Sequence, residues 1–185
     1  MEERMLEESV KLRLILSGIN ELEEHGLADF SLRRAAMGAQ VSCAAPYRHF
    51  KGKDDYIRAI IKYVNSNWEL LSKEIENVFF DDPSRLVIEI CMANIRFWIS
   101  NHNYRTVFTV ALDSSKDPEW AELLERKVIS AVDRYSDHKA LNLKERKDKE
   151  FLVRILIAGT VMLIASGTGD ELLESARKRL EDEFK

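Results

Sequence analysis

A chain of 185 residues can bury a core, as one domain or as a small head with a larger body. Seven glycines, three prolines and no alternating β-branched runs predict an all-α protein. The formal charge is −4; the isolated Cys43 and Cys91 and the scattered His25, His49, His102 and His138 argue against a disulfide framework or a zinc site.

Residues 5–25 read as a first helix, with Leu12, Ile15, Leu16, Ile19 and Leu22 on one face, closed by Gly26. Glu21, Glu23 and Glu24 are expected on its solvated side. Ser31 caps a short second helix, with Phe30 folding back on Ala35. Gly38-Ala39-Gln40-Val41 leaves room for a tight turn. A third helix is expected from Ser42 through Tyr47 to about Phe50, which is helix-turn-helix spacing. Between Ser31 and Lys53 the charged side chains are Arg33, Arg34, Arg48, Lys51 and Lys53, beside His49, with no Asp or Glu. That basic run opposes the net charge of the chain and suits a phosphate backbone. A solvated basic face is the plain alternative; turn spacing, caps and charge agreeing with one another argue against it.

Beyond Lys53, Ile57, Ile60, Ile61, Val64, Trp68, Leu71, Ile75, Val78 and Phe79 step by three or four, predicting one long helix from about Asp54 to Phe80. Asp82-Pro83 opens a helix over about 84–101 that is apolar nearly all round. Arg96, alone on it, is expected to be exposed or paired at the surface. Tyr104–Leu112 reads as a short sixth helix, and Asp117-Pro118 opens a seventh with Trp120, Leu123, Leu124, Val128, Ala131 and Tyr135 inward. Residues 139–149 read as a charged loop. Phe151–Ala165 is the most apolar run, too short and interrupted to span a membrane. Gly167 stops it, and Thr168-x-x-Glu171 is a capping box for a last helix bearing Leu172, Leu173, Ala176, Leu180 and Phe184.

The segments Gly26, Phe30-Ser-Leu-Arg-Arg-Ala-Ala36, Val41-Ser42 and Tyr47-Arg-His-Phe-Lys-Gly-Lys53 resemble the DNA-binding domain of the TetR family of bacterial transcriptional regulators, over about residues 10–60. The sequence departs from the family's pattern at Ser17-Gly18, where two alanines are usual, at Ala35, and at Gln40, which holds a turn position usually given to glycine. The resemblance implies an all-α protein of about nine helices. Residues 1–52 would form a three-helix helix-turn-helix head, and residues 53–185 an effector-binding and dimerisation body. It implies DNA contacts from Arg33, Ser42, Cys43, Ala44, Pro46, Tyr47, Arg48, His49 and Lys53. Tyr47, His49, Lys53, Arg33 and the helix dipole at Ser42 would address phosphates. Cys43, Ala44 and Arg48 would read bases. Tyr47 is expected at the surface and Phe50 in the core, because a phenol needs a polar partner.

Trp68, Leu71, Met92, Phe97, Trp98, Tyr104, Phe108 and Trp120 are candidates for an effector pocket, with an ordinary core as the alternative for each. The family's dimer interface, built from the last two long helices, would fall on Ile157, Val161, Ile164, Leu173, Ala176 and Leu180. No catalytic constellation stands out, so neither an enzyme nor a cofactor is expected. The acidic N-terminus without an apolar signal core suggests the cytoplasm. Together these features predict a homodimeric, ligand-responsive repressor that binds a palindromic operator and is released by a small apolar or aromatic effector. The competing classes are a helical small-molecule carrier or partner-binding module with a vestigial head, and a regulator answering to a protein. The basic run argues against the carrier.

Overall fold

The computed structural model describes residues 2–112, 118–167 and 171–185. These contain nine α-helices and no strand: α1 (Glu2–His25), α2 (Leu32–Gly38), α3 (Ala45–His49), α4 (Lys53–Val78), α5 (Pro83–Ser100), α6 (Arg105–Leu112), α7 (Pro118–His138), α8 (Leu143–Ala165) and α9 (Glu171–Glu183). A 3₁₀ turn, His102–Tyr104, precedes α6. The chain forms two compact units, Met1–Ser66 with Asn103–Leu124, and Asn67–His102 with Glu125–Lys185. Helices α4 and α7 each contribute residues to both.

In the first unit α1, α2 and α3 pack on one another, and α6 packs on α1. Leu14, Ile19 and Leu22 of α1 and Tyr56, Ile57, Ile60 and Ile61 of α4 are buried. Leu12 and Leu16 stay largely exposed, so the inward stripe of α1 is turned by about one position from the expected one. Gly18 explains how α4 seats against α1. A Cβ there would lie 2.8 Å from Ile60 Cδ1 and 3.0 Å from the Tyr56 ring. Tyr56 stacks on Phe50 at 4.1 Å, meets Phe30 edge-on at 5.3 Å and donates its hydroxyl to the Leu14 carbonyl. The neighbouring Ser17 donates from Oγ to the Ala35 carbonyl at 2.8 Å. The two departures from paired alanines therefore act as contacts within the first unit.

In the second unit α5 packs against α8 and α9, which also meet each other. Val87, Ile90, Cys91, Met92 and Ile95 bury fully or nearly so against a core that includes Val153, Val161, Leu180 and Phe184. Burial pushes the Cys91 thiol up to about 12, so it is a packing residue and an inert one. Arg177 of α9 grips Glu89 of α5 through two hydrogen bonds, 3.0 and 3.1 Å. Lys127 of α7 holds Glu76 of α4 at 2.8 Å, and Lys149 of α8 holds Glu183 of α9 at 2.6 Å.

One expectation changes here. Residues 143–149 belong to α8 and are not loop. Asn142 caps that helix by accepting from the Lys144 and Glu145 amides, while Glu145 accepts from the Asn142 amide. Their polarity marks a solvated first half of a helix, tied down where Arg146 bridges Asp133 and Asp137 of α7. The caps expected at Asp117 and Thr168 lie outside the described residues.

Candidate nucleic-acid interface and effector region

Helix α2 starts as the sequence indicates, with Ser31 Oγ accepting from the Arg34 amide at 3.3 Å. The turn that follows is left-handed at Gln40, with φ of +56°. Here a non-glycine residue occupies the conformation that glycine adopts without a Cβ penalty. Helix α3 is shorter than expected. It begins at Ala45, because the chain first makes a turn in which the Ala45 amide donates to the Ser42 carbonyl. Ser42 is consequently not its cap, and a five-residue helix beginning three residues later offers no dipole at Ser42. Phe50 ends α3 in extended conformation and is buried.

Around this frame Arg33, Ser42, Cys43, Ala44, Tyr47 and Arg48 are exposed, and His49 and Lys53 partly so. Tyr47 is 68% exposed while Phe50 is 3%, the division expected of the pair. Pro46 is buried beneath α3 and has no face to offer DNA; its role is to set the backbone of the first turn. Lys53 Nζ donates to the Ala28 carbonyl at 3.0 Å, which pins its ammonium near the α1–α2 connection. Lys51 is also exposed beside these groups and extends the cationic surface beyond the expected set.

Glu21 behaves unlike a solvated acid. It is 6% exposed and accepts from Arg34 Nε at 2.8 Å and from the Ser31 amide at 3.0 Å. The hydrogen bond to Glu21 raises the guanidinium's already high pKa further. Arg34 is thereby engaged in bracing α2 on α1 while its side chain stays 46% exposed, and Arg33 beside it is exposed as well. The hint in the sequence is position: Glu21 directly precedes the fully buried Leu22.

The candidate effector residues divide between the units. In the second, Trp68, Met92, Phe97 and Trp98 are buried, with Trp68 5.7 Å from Phe97 and Phe97 5.1 Å from Trp98, centroid to centroid. Leu71 is 46% exposed and is not part of that cluster, because it lies outside the buried stripe of α4. Tyr104, Phe108 and Trp120 belong to the first unit, where Phe108 and Trp120 are buried. A separate cleft of about 240 Å³ in the second unit is lined by Glu76, Asn77, Phe80, Leu86, Ser130, Ala131 and Arg134, none of them expected. Arg96 is exposed, as expected.

The expected dimer residues need the largest correction. Ile157, Val161, Ala176 and Leu180 are buried within the chain itself and present no surface to a partner; Ile164 and Leu173 are half-buried. The outward apolar face of α8 is Phe151, Ile155, Met162 and Leu163, between 44% and 65% exposed. A helix apolar around its whole circumference carries no periodicity to say which side faces the core.

This arrangement, three helices packed on one another at the start of a chain whose described residues form helices and no strand, is the TetR-like fold. The transcriptional regulator FadR of Bacillus subtilis, solved with stearoyl-CoA, matches over 94% of this chain and 97% of its own, at 14% identity and a TM-score of 0.74. A TetR family regulator from Marinobacter aquaeolei VT8 matches over 99% and 98%, at 19% identity and a TM-score of 0.74. The multidrug binding protein EbrR, complexed with ethidium, matches over 94% and 97%, at 17% identity and a TM-score of 0.68. No family model and no curated protein sequence matches the chain. Likeness at these identities establishes the fold.

Proposed function

We propose that this protein is a ligand-responsive, DNA-binding transcriptional repressor that acts in the cytoplasm as a homodimer on a palindromic operator. The observation that carries the reading is the set of exposed Arg33, Tyr47, Arg48 and Lys51 and part-exposed Lys53 along a helix-turn-helix, with no acidic residue between Ser31 and Lys53. On this reading residues 1–52 are the DNA-reading part and residues 53–185 the effector and dimerisation part. Arg33, Tyr47, His49, Lys51 and Lys53 hold phosphates, and Cys43, Ala44 and Arg48 face base edges. Two copies pair through the outward face of α8. Pairing would remove the exposed Phe151, Ile155, Met162 and Leu163 from water.

Control would pass through α4, which is continuous from Lys53, beside the reading segment, to Val78 in the second unit. Two heads must sit about one helical turn of DNA apart, roughly 34–36 Å, so a shift of a few ångströms suffices for release. An effector need only prefer the released state, and about 1.4 kcal/mol of preference gives tenfold. Neighbours of the same fold solved with stearoyl-CoA and with ethidium support a small-molecule effector. The test is selection from a randomised duplex pool with purified protein. A palindromic consensus whose binding weakens steeply with salt is expected; absence of salt-sensitive duplex binding would overturn the reading.

A further inference from the structure

Among the described residues, the interior of the second unit contains aromatic surface, no buried charge and two buried donors without acceptors. Its buried polar side chains are Ser72, Asn94, Ser136 and Thr160, all neutral. Trp98 Nε1 donates to Asn94 Oδ1 at 3.2 Å. An indole nitrogen can only donate, so this bond fixes which end of the Asn94 amide is oxygen and leaves Nδ2 as the free end. Asn94 Nδ2 and Trp68 Nε1 are both buried and have no hydrogen-bond partner among the described residues. Buried polar groups are paired in the great majority of folded proteins, and an orphaned one calls for an explanation. Asn94, Phe97 and Trp98 lie at i, i+3 and i+4 on α5 and so share one face. The Trp68 ring of α4 stands against Phe97. Phe97, at 7% exposed, is the member of the cluster nearest to solvent.

Resting on the proposed reading of an effector-controlled regulator, we infer that the effector is an uncharged, largely aromatic molecule bearing a carbonyl-type oxygen, received among Trp68, Asn94, Phe97 and Trp98. Each feature answers one observation. The rings offer stacking surface. The orphaned amide and indole hydrogens need an oxygen acceptor. A formal charge would enter an interior with no counter-ion among the described residues, at a cost that excludes it. A purely apolar ligand would leave both donors unpaired and gain nothing from them.

The probes are 9-fluorenone and fluorene, which share a ring skeleton and differ by a ketone against a methylene, together with the cation proflavine. Binding to the full-length protein is followed by indole and side-chain amide signals in ¹⁵N–¹H spectra. Fluorenone is expected to bind at least about tenfold more tightly than fluorene and to shift the Trp68 Nε1–H and Asn94 Nδ2–H signals. Proflavine is expected not to displace it. Trp68→Phe, which keeps an aromatic ring and removes the donor, should erase much of the ketone's advantage. Equal binding of the two hydrocarbon skeletons, binding of neither, or preference for the cation would overturn the inference. Should Trp68→Phe fail to fold, the wild-type ratio decides. Salt-sensitive duplex binding measured on the same preparation separates the two claims, since it survives failure of the ligand inference and is lost if the regulator reading is wrong.

Discussion

Gln40 occupies a left-handed position, φ +56°, in the turn between α2 and α3. A Cβ in that region costs about 1–2 kcal/mol, while glycine loses about 0.5–1 kcal/mol more backbone entropy on folding. The first exceeds the second, so Gln40→Gly should raise stability by about 0.5–1 kcal/mol in chemical denaturation. An unchanged or lowered midpoint would mean that the Gln40 side chain contributes interactions outweighing the strain. At Glu21 the same scale shows a carboxylate acting as a mechanical part. It ties Ser31 and Arg34 to α1 and so holds the start of α2 against the helix behind it.

Helix α8 shows what an element can hide. Val153, Ile157 and Val161 face the core, and Phe151, Ile155, Met162 and Leu163 face outward. Ile155→Asp should leave helicity intact and shift sedimentation toward monomer, because the charge remains in water until a partner covers it. Ile157→Asp should unfold the chain, since an unpaired buried charge costs several kcal/mol. If both variants stay folded and dimeric, α8 is not the interface. The ion pair between α5 and α9 gives stability a pH dependence. The Arg177 guanidinium, bonding Glu89, holds that carboxyl below its ordinary 4.5. Its folded pKa lies below its unfolded one, so its stabilisation is complete above about 4.5 and is lost as pH falls through the folded value. Glu89→Gln should therefore cost about 1 kcal/mol at pH 7, and the gap from wild type should narrow as pH falls below about 4.5.

For the whole molecule the decisive quantity is the salt dependence of operator binding. Removing one cation that neutralises a phosphate should reduce the slope of log K against log salt by about 0.9. Arg33→Ala and Lys53→Ala should each do so, with thermal midpoints separating the two. Lys53→Ala also removes the bond to the Ala28 carbonyl and should lower the midpoint, whereas Arg33→Ala should not. Slopes unchanged in both would remove these residues from the interface. Arg34→Ala offers the contrast, because its effect should come through stability at the Glu21 clamp.

Local physics determined much of this protein from the sequence alone. Periodicity located α4, α5 and α9 within a few residues, and Ser31 and Asp82 signalled helix starts that the chain uses through their side chains. The basic run from Arg33 to Lys53, and the division of labour between Tyr47 and Phe50, follow from residue chemistry and were equally legible. Tertiary structure decided what local pattern leaves open. The apolar second half of α8, from Phe151 to Ala165, has no clear phase until its neighbours bury one face. Glu21 reads as a solvated acid until Arg34, 13 residues away, folds onto it. Ser42 has the chemistry of a cap, yet the chain turns there first and starts α3 at Ala45. In each case the outcome depends on which distant groups arrive, and spacing along one helix carries no record of that.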